Sequence, residues 1–174
     1  ASTMATVESG RNHPAHRGPK LTAILTYCKA LLPHTKVTIM TMKRHSGGCH
    51  CGKVRFEAEL DLAEGTTKCN CSMCSKARLW GVRVAPEKFQ LLTGASELTD
   101  YQFNSNSCHH LFCKHCGVRA FEWADIPQAG GKYYSVQAMC VDDLDVEALL
   151  KGPVRYCDGR NDNWWSAPAE VRHL

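Results

Sequence analysis

Residues 45–60 read HSGGCHCGKVRFEAEL and place a close pair of cysteines directly before a strictly alternating segment. In its second half Val54, Phe56, Ala58 and Leu60 are apolar, and each residue between them is charged. A period of two is typical of a strand that buries one face and exposes the other. The stretch therefore predicts a half-buried strand that starts beside a pair of thiols.

The rest of the chain after residue 45 has the same character of short apolar segments separated by turn residues. A short helix is predicted within residues 141–152, and one or two helical turns in CSMCSKA at 71–77. The fold class is therefore mainly β, as a single domain with one or two short helices. Because short strands build modest cores, bound metal would be a useful staple. The other predicted strands are 79–85, 89–94, 97–103, 117–124 and 132–140.

The chain has 11 cysteines among 174 residues, which is a high content. The odd number and the crowding of seven of them into three tight clusters favour metal thiolates over disulfides. Cysteines two positions apart are poorly placed to bridge each other but well placed to bind one metal ion. The clusters are GGCHCG with Cys49 and Cys51, CNCSMC with Cys69, Cys71 and Cys74, and FCKHCG with Cys113 and Cys116.

The first and third clusters together have the composition of a structural zinc site. Two close cysteine pairs far apart in sequence are a common way for four thiolates to join distant segments. Gly52 and Gly117 follow these pairs and let the backbone turn tightly beneath a metal ion. His50 and His115 lie inside the pairs and are expected to point away from the metal.

The central cluster has three thiolates and so leaves one zinc position open, as catalytic zinc sites do. A zinc ion bound by three thiolates carries a net charge of −1 and suits an incoming thiol better than water. His110 is a candidate fourth ligand, with a surface or core-edge role as its alternative. The other interpretation of the cluster is a second structural zinc that water or another residue completes.

The charge of the chain is concentrated at its beginning. Residues 1–44 carry seven Lys/Arg and one acid, whereas the rest carries 14 Lys/Arg and 16 Asp/Glu. We therefore predict a basic N-terminal extension over 1–44, peripheral or disordered, and a zinc-binding catalytic domain over 45–174. The apolar segment 21–32 is shorter than the roughly 20 residues that span a bilayer, so no membrane anchor is predicted. The predicted location is cytoplasmic, or mitochondrial if the extension is a transit peptide.

The ordered clusters, together with FQLLTGASELTDYQFNS and VRYCDGRNDNWWSAP, resemble the glutathione-dependent formaldehyde-activating enzyme family, which includes centromere protein V. The resemblance runs from about residue 45 to 168. It implies an Mss4-like β fold built around zinc, with two zinc ions per chain. It also implies a structural site formed by Cys49, Cys51, Cys113 and Cys116, and a catalytic site formed by Cys69, Cys71 and Cys74.

The resemblance further implies a carbon–sulfur lyase that condenses the glutathione thiol with formaldehyde, or a related aldehyde, to S-(hydroxymethyl)glutathione. The glutathione carboxylates need cationic contacts, for which Lys76, Arg78 and Arg83 are candidates. Trp164 and Trp165 could wall a pocket, and the alternative for this pair is core or rim packing. The alternative is a non-catalytic, zinc-stabilised binding module of the centromere protein V type. Seven dispersed positive charges without interleaved aromatics argue against nucleic acid as its partner.

Overall fold

A computed structural model of the chain describes residues 43–174, and the fold below refers to that range. The predicted peripheral or disordered extension 1–44, with its apolar segment 21–32 and its transit-peptide alternative, lies outside the described part except for its last two residues. Cys28 also lies outside it. Lys43 and Arg44 are described and belong to the first strand.

The described chain contains ten strands and two short helices, which confirms the mainly β prediction. Helix α1 (Ser72–Ala77) follows the third strand, and α2 (Val146–Lys151) follows the ninth. Neither is long and apolar enough to cross a membrane. The strands are β1 (Lys43–Gly48), β2 (Arg55–Leu60), β3 (Thr66–Cys69), β4 (Gly81–Val84), β5 (Phe89–Thr93), β6 (Leu98–Tyr101), β7 (Cys108–Cys113), β8 (Phe121–Ile126), β9 (Gly131–Gln137) and β10 (Val154–Cys157).

The strands form two sheets. The smaller has the order β1-β2-β5, and the larger has the order β10-β3-β4-β9-β8-β7-β6. Strands β10 and β3 pair in parallel, with Cys157 opposite Cys69, and the other named pairs are antiparallel. The last strand of the chain is thereby placed beside the first cysteine of the central cluster.

Strand β2 follows the alternation in the sequence. Val54, Phe56, Ala58 and Leu60 are at most 3% exposed, while the charged residues between them are half-buried. Arg44 of the neighbouring β1 pairs with one of these charges, the Glu57 carboxylate, at 3.0 Å. The predicted inward and outward faces of this strand are therefore confirmed.

The core lies between the two sheets and is built around four aromatic rings. Phe56 and Phe89 come from the smaller sheet, and Phe121 and Tyr134 come from the larger one. The Phe56 and Phe121 ring centres are 5.8 Å apart in an edge-to-face arrangement, and Phe89 stacks on Tyr134 at 4.0 Å. Such pairs contribute about 0.5–1.5 kcal/mol each beyond the area that they bury.

The opposite face of the larger sheet is polar and carries the central cysteine cluster. On this face Ser135 of β9 pairs directly with Glu122 of β8 on one side and with Arg83 of β4 on the other. Directly paired residues of neighbouring strands project to the same side of a sheet. Gly81 is two residues from Arg83 and therefore lies on the same face, and it pairs with Thr67 of β3. Cys69 is two residues from Thr67, so it also lies on this face.

Candidate metal centres and the adjoining cleft

The first and third cysteine clusters meet in space and form a four-sulfur centre. The Cys51 Sγ lies 3.6 Å from the Cys49 Sγ and 3.7 Å from the Cys113 Sγ, and Cys116 completes the set within 4.8 Å. Four sulfurs at about 2.3 Å from one tetrahedral zinc would be about 3.8 Å apart. The donor set and its spacing therefore fit a zinc ion.

Two tight turns that resemble each other bring these sulfurs together. In the second, the Cys113 N–H donates to the Val118 carbonyl at 3.0 Å. Gly52 and Gly117 follow the cysteine pairs with φ of +75° and +73°, and open space surrounds the position that a Cβ would take at either residue. The backbone conformation, and not crowding, therefore calls for glycine at both positions, as the sequence predicts.

Backbone N–H groups also stabilise negative charge on these sulfurs. The Val54 N–H donates to the Cys49 Sγ at 3.3 Å. Hydrogen bonds from the backbone of Val118 and of Cys51 lower the pKa of Cys116 to about 6. This thiol is therefore largely ionised at neutral pH, which is the state that a metal ligand needs.

The histidines inside the two pairs do not contribute to the centre. His50 is exposed, and His115 forms an ion pair with Glu97 on the surface. Only cysteines make up the four-membered set in the described part of the chain.

The central cluster is built at the junction of β3 and α1. Cys69 ends the strand, Cys71 is the N-cap of the helix, and Cys74 lies within the helix. The Cys71 N–H donates to the Cys69 Sγ, and the Cys74 N–H donates to the Cys71 Sγ, each at 3.3 Å. The strand-to-helix turn thus gathers three sulfurs within 4.8 Å of one another.

Between residues 43 and 174, no fourth His, Cys, Asp or Glu ligand atom joins these three sulfurs. Cys157 packs beside Cys69 and Cys74 but lies outside the set. His110 is 5% exposed, and its Nδ1 is 2.8 Å from the Glu122 carboxylate. Neither ring nitrogen of His110 lies close enough to all three sulfurs to join the set, so the structure does not place it as the fourth ligand.

The three thiols share one negative charge when no metal is bound. Hydrogen bonds from the Cys69 and Cys74 side chains lower the pKa of Cys71 to about 2. The interaction with Cys71 correspondingly raises the pKa of Cys69 to about 11, and the interactions with Cys69 and Cys71 raise the pKa of Cys74 strongly. At neutral pH the cluster therefore holds one thiolate and two thiols.

This charge state predicts that metal uptake by the central cluster is pH-dependent. Because Cys69 and Cys74 must each lose a proton to become ligands, affinity should rise with pH, by up to about 100-fold per pH unit below the pKa of Cys69. Zinc competition against a chelator at about pH 6 to 8 measures this slope. The Cys71→Ser variant, which keeps the four-cysteine centre, supplies the background. An affinity that does not change with pH would contradict the charge state.

The loop that follows β10 is hydrogen-bonded to the backbone segment of the central cluster. The Asn70 side chain, between Cys69 and Cys71, donates to the Asp158 carboxylate at 2.6 Å. The Arg160 N–H in turn donates to the Asn70 side-chain oxygen at 2.8 Å. These contacts fix the backbone between two of the sulfurs, and neither Asn70 nor Asp158 was singled out from the sequence.

Gly159→Ala is predicted to weaken metal binding at the central cluster. A Cβ at this position would lie 2.9 Å from the Cys69 Sγ and 2.5 Å from the Trp164 ring. Overpacking costs typically 1–3 kcal/mol, which is about 5- to 150-fold in zinc affinity if the strain falls on the sulfur. Gly152→Ala, which crowds the Leu62 carbonyl, is a control for general destabilisation. Equal zinc affinities in the two variants would contradict the prediction.

A cleft of about 300 Å³ opens beside the central cluster. Two cations and an aromatic ring stand at its wall, and the Lys68 ammonium lies 4.4 Å from the centre of the Trp80 ring. The cleft therefore combines sulfur ligands with positive charge. Its lining includes Cys69, Cys74, Lys68, Arg78, Trp80 and Leu174.

The predicted glutathione contacts take different positions relative to this cleft. Arg78 lines it, whereas Lys76 is exposed on α1 and is not part of its lining. Arg83 stacks on Tyr133 at 3.7 Å and donates to the Ala129 carbonyl, again away from the lining. Their role as glutathione contacts stays a prediction. Lys68 of the cleft lining, which immediately precedes Cys69, was not among the contacts predicted from the sequence.

The paired tryptophans do not wall the cleft. Trp164 is 43% exposed and Trp165 is 64% exposed, and neither belongs to the cleft lining. The Arg155 guanidinium lies 5.0 Å from the Trp165 ring centre. Both tryptophans therefore lie at the surface and not in the core.

A β fold with a four-cysteine cluster and a separate three-cysteine cluster beside a cleft is typical of domains whose thiolates can hold metal ions. Residues 44–154 match the family of the glutathione-dependent formaldehyde-activating enzyme. The chain belongs to this family. A crystal structure of a Rhodobacter sphaeroides protein is similar, with a TM-score of 0.54 and 27% identity over 63% of this chain and 99% of that one.

Proposed function

We propose that the chain is a zinc-dependent carbon–sulfur lyase that condenses glutathione with formaldehyde, or a related small aldehyde, to S-(hydroxymethyl)glutathione. Membership in the family supports the reaction. The observation that carries the proposal is the central cluster, whose three sulfurs have no fourth ligand among residues 43–174 and adjoin a cleft. A closed four-sulfur centre has no position for a substrate, so this cluster is the reactive one.

The cluster is suited to a thiol. A zinc ion bound there would supply the positive charge that lowers the pKa of an incoming thiol. Cys69, Cys71 and Cys74 would hold it, and the N–H groups of Cys71 and Cys74 already donate to two of the sulfurs. These hydrogen bonds disperse negative charge within the cluster, so the sulfurs can serve as ligands in a partly buried place.

The reaction involves no oxidation or reduction. The thiol S–H bond breaks and a sulfur–carbon bond forms at the aldehyde carbon. The π electron pair of the C=O bond moves to the oxygen, which takes up a proton from solvent to balance the one that the thiol releases. What the chain contributes is a cleft that holds the thiol peptide beside the cluster and so replaces a chance encounter by an oriented one.

Exchange measurements at equilibrium test the proposal, because the two substrates also combine without an enzyme. Isotope-labelled formaldehyde and glutathione are followed by exchange NMR with increasing amounts of zinc-loaded protein. The exchange rate should rise in proportion to the protein, and Cys71→Ser should return it to background. Cys140→Ser, at an isolated half-buried cysteine outside both clusters, is the matched control and should keep the rate. A wild-type protein that binds two zinc ions without accelerating exchange would favour the binding-module alternative.

A further inference from the structure

The end of the described chain bounds the cleft beside the central cluster and contacts both of its cations. The Lys68 ammonium donates to the Leu174 backbone oxygen at 2.8 Å, and the Arg78 guanidinium donates to the His173 carbonyl oxygen at 2.6 Å. Leu174 belongs to the cleft lining together with Cys69. Two cations that line a cleft next to the cluster therefore already hold backbone oxygens of a peptide segment.

Both cations are fixed relative to the sulfurs. Lys68 directly precedes Cys69 on β3, and its ammonium is held over the Trp80 ring. Arg78 ends the helix that carries Cys74, in a left-handed conformation with φ of +50°. The carbonyl of Arg78 also accepts a hydrogen bond from the Gln137 side chain at 3.1 Å. The distance between the peptide-binding groups and the cluster is therefore set by the fold.

We propose that Lys68 and Arg78 recognise the backbone and carboxylates of a short peptide thiol, and that the segment 171–174, through His173 and Leu174, engages these two cations until the peptide binds. The inference rests on the proposed function for the identity of the ligand. It differs from the sequence prediction in replacing Lys76 and Arg83 by Lys68, since those two residues do not line the cleft.

The charges explain how a peptide thiol would displace the segment. The acceptor that His173 offers to Arg78 is an uncharged backbone carbonyl oxygen. Glutathione offers two carboxylates, whose full negative charges attract the two cations in addition to accepting their hydrogen bonds. The segment is also lightly held, because His173 is exposed and Leu174 only half-buried. A small neutral thiol has no group for these cations and gains nothing by displacing the segment.

Competition by the segment lowers the apparent affinity for the peptide thiol. The observed dissociation constant is the intrinsic one divided by the fraction of molecules whose cleft is free. A segment that occupies the cleft nine-tenths of the time would thus weaken binding about tenfold. Small thiols that reach the sulfurs without using Lys68 and Arg78 should not be affected.

The main experiment uses the full zinc-loaded chain and measures backbone NMR order parameters of residues 171–174. With no ligand they should be near 0.85, as for rigid backbone, and with saturating glutathione they should fall below about 0.6. S-methylglutathione, which has no free thiol, should have the same effect, whereas 2-mercaptoethanol should leave the values high.

Binding constants of variants give an independent measurement. A chain that lacks residues 171–174 should bind glutathione about tenfold more tightly and 2-mercaptoethanol equally well. Lys68→Gln and Arg78→Gln should each weaken glutathione binding and spare 2-mercaptoethanol. Lys151→Gln, at an exposed lysine on α2 that pairs with Glu147, is the matched control and should change neither constant.

The outcomes separate this inference from the proposed function. Order parameters that stay high with glutathione and with S-methylglutathione overturn the inference, even if both zinc ions and the exchange activity are present. Release of the segment by S-methylglutathione supports it, even if neither free thiol binds at the metal and the proposed function fails. A truncated chain that does not fold leaves the decision to the order parameters of the full chain.

Discussion

Cys113→Ser should prevent folding or lower the melting temperature by more than about 10 °C, because it breaks the four-cysteine centre. Cys113 is 0% exposed and ends β7 of the larger sheet. Its partners Cys49 and Cys51 follow β1 of the smaller sheet. The centre therefore ties the two sheets together at one end of the core, and a serine hydroxyl cannot replace the missing thiolate.

The magnitude follows from the size of a metal contribution. Structural zinc supplies about 10–16 kcal/mol of apparent binding free energy in small zinc domains, whereas a domain is stable by only about 5–15 kcal/mol. Losing one of four ligands should remove a part of the zinc binding free energy that is comparable to the whole stability of the domain. A buried hydroxyl left without a partner adds roughly 1–3 kcal/mol of destabilisation.

Thermal unfolding and zinc content of the purified variant measure this effect. Cys140→Ser is the control, since it also replaces a partly buried cysteine but belongs to neither cluster. Its melting temperature should stay within a few degrees of the wild type. If Cys113→Ser matched that control in both stability and zinc content, the four-cysteine cluster would not be a structural metal centre.

Local patterns allowed much of the fold to be predicted. The alternation in β2 is a short-range signal, and the buried faces of Phe56 and Ala58 match it. The turns at Gly52 and Gly117 could also be predicted, because a glycine after a cysteine pair indicates a positive φ. The larger sheet was harder to predict. Its strand β7 buries His110 and Cys113, and the sequence CHHLFC has no apolar alternation.

The cleft could not be predicted from the sequence, because it depends on contacts between residues far apart in the chain. Lys68 and Leu174 are 106 positions apart, and Arg78 and His173 are 95 apart. A lysine before a cysteine gives no signal of its own. The parallel pairing of β10 with β3 brings the end of the described chain to the central cluster, and strand order is not encoded in any local pattern.

The two clusters occupy different places in the fold, so their roles can be separated by substitution. The four-cysteine centre joins two sheets, whereas the central cluster lies on the polar face of the larger sheet and is contained within β3, α1 and the turn between them. Its strand and helix would be held by pairing and packing even if no metal were bound. Loss of its ligands should therefore affect chemistry more than folding.

Cys71→Ser is expected to remove one of two zinc ions and the thiol-dependent activity while leaving the domain folded. Cys71 is the N-cap of α1, and its sulfur accepts the Cys74 N–H at 3.3 Å. Serine is among the best N-cap residues, so its hydroxyl can accept the same hydrogen bond and preserve the start of the helix. The substitution thus removes a metal ligand and little else.

Zinc per chain, measured with and without glutathione, decides the outcome. The wild type should hold two zinc ions and show a glutathione-dependent change at one of them, and Cys71→Ser should hold one and show no change. The melting temperature of the variant should fall far less than that of Cys113→Ser, because the sheets remain tied. A single zinc that survives the substitution, or two that do not respond to glutathione, would point instead to a structural or binding role for the central cluster.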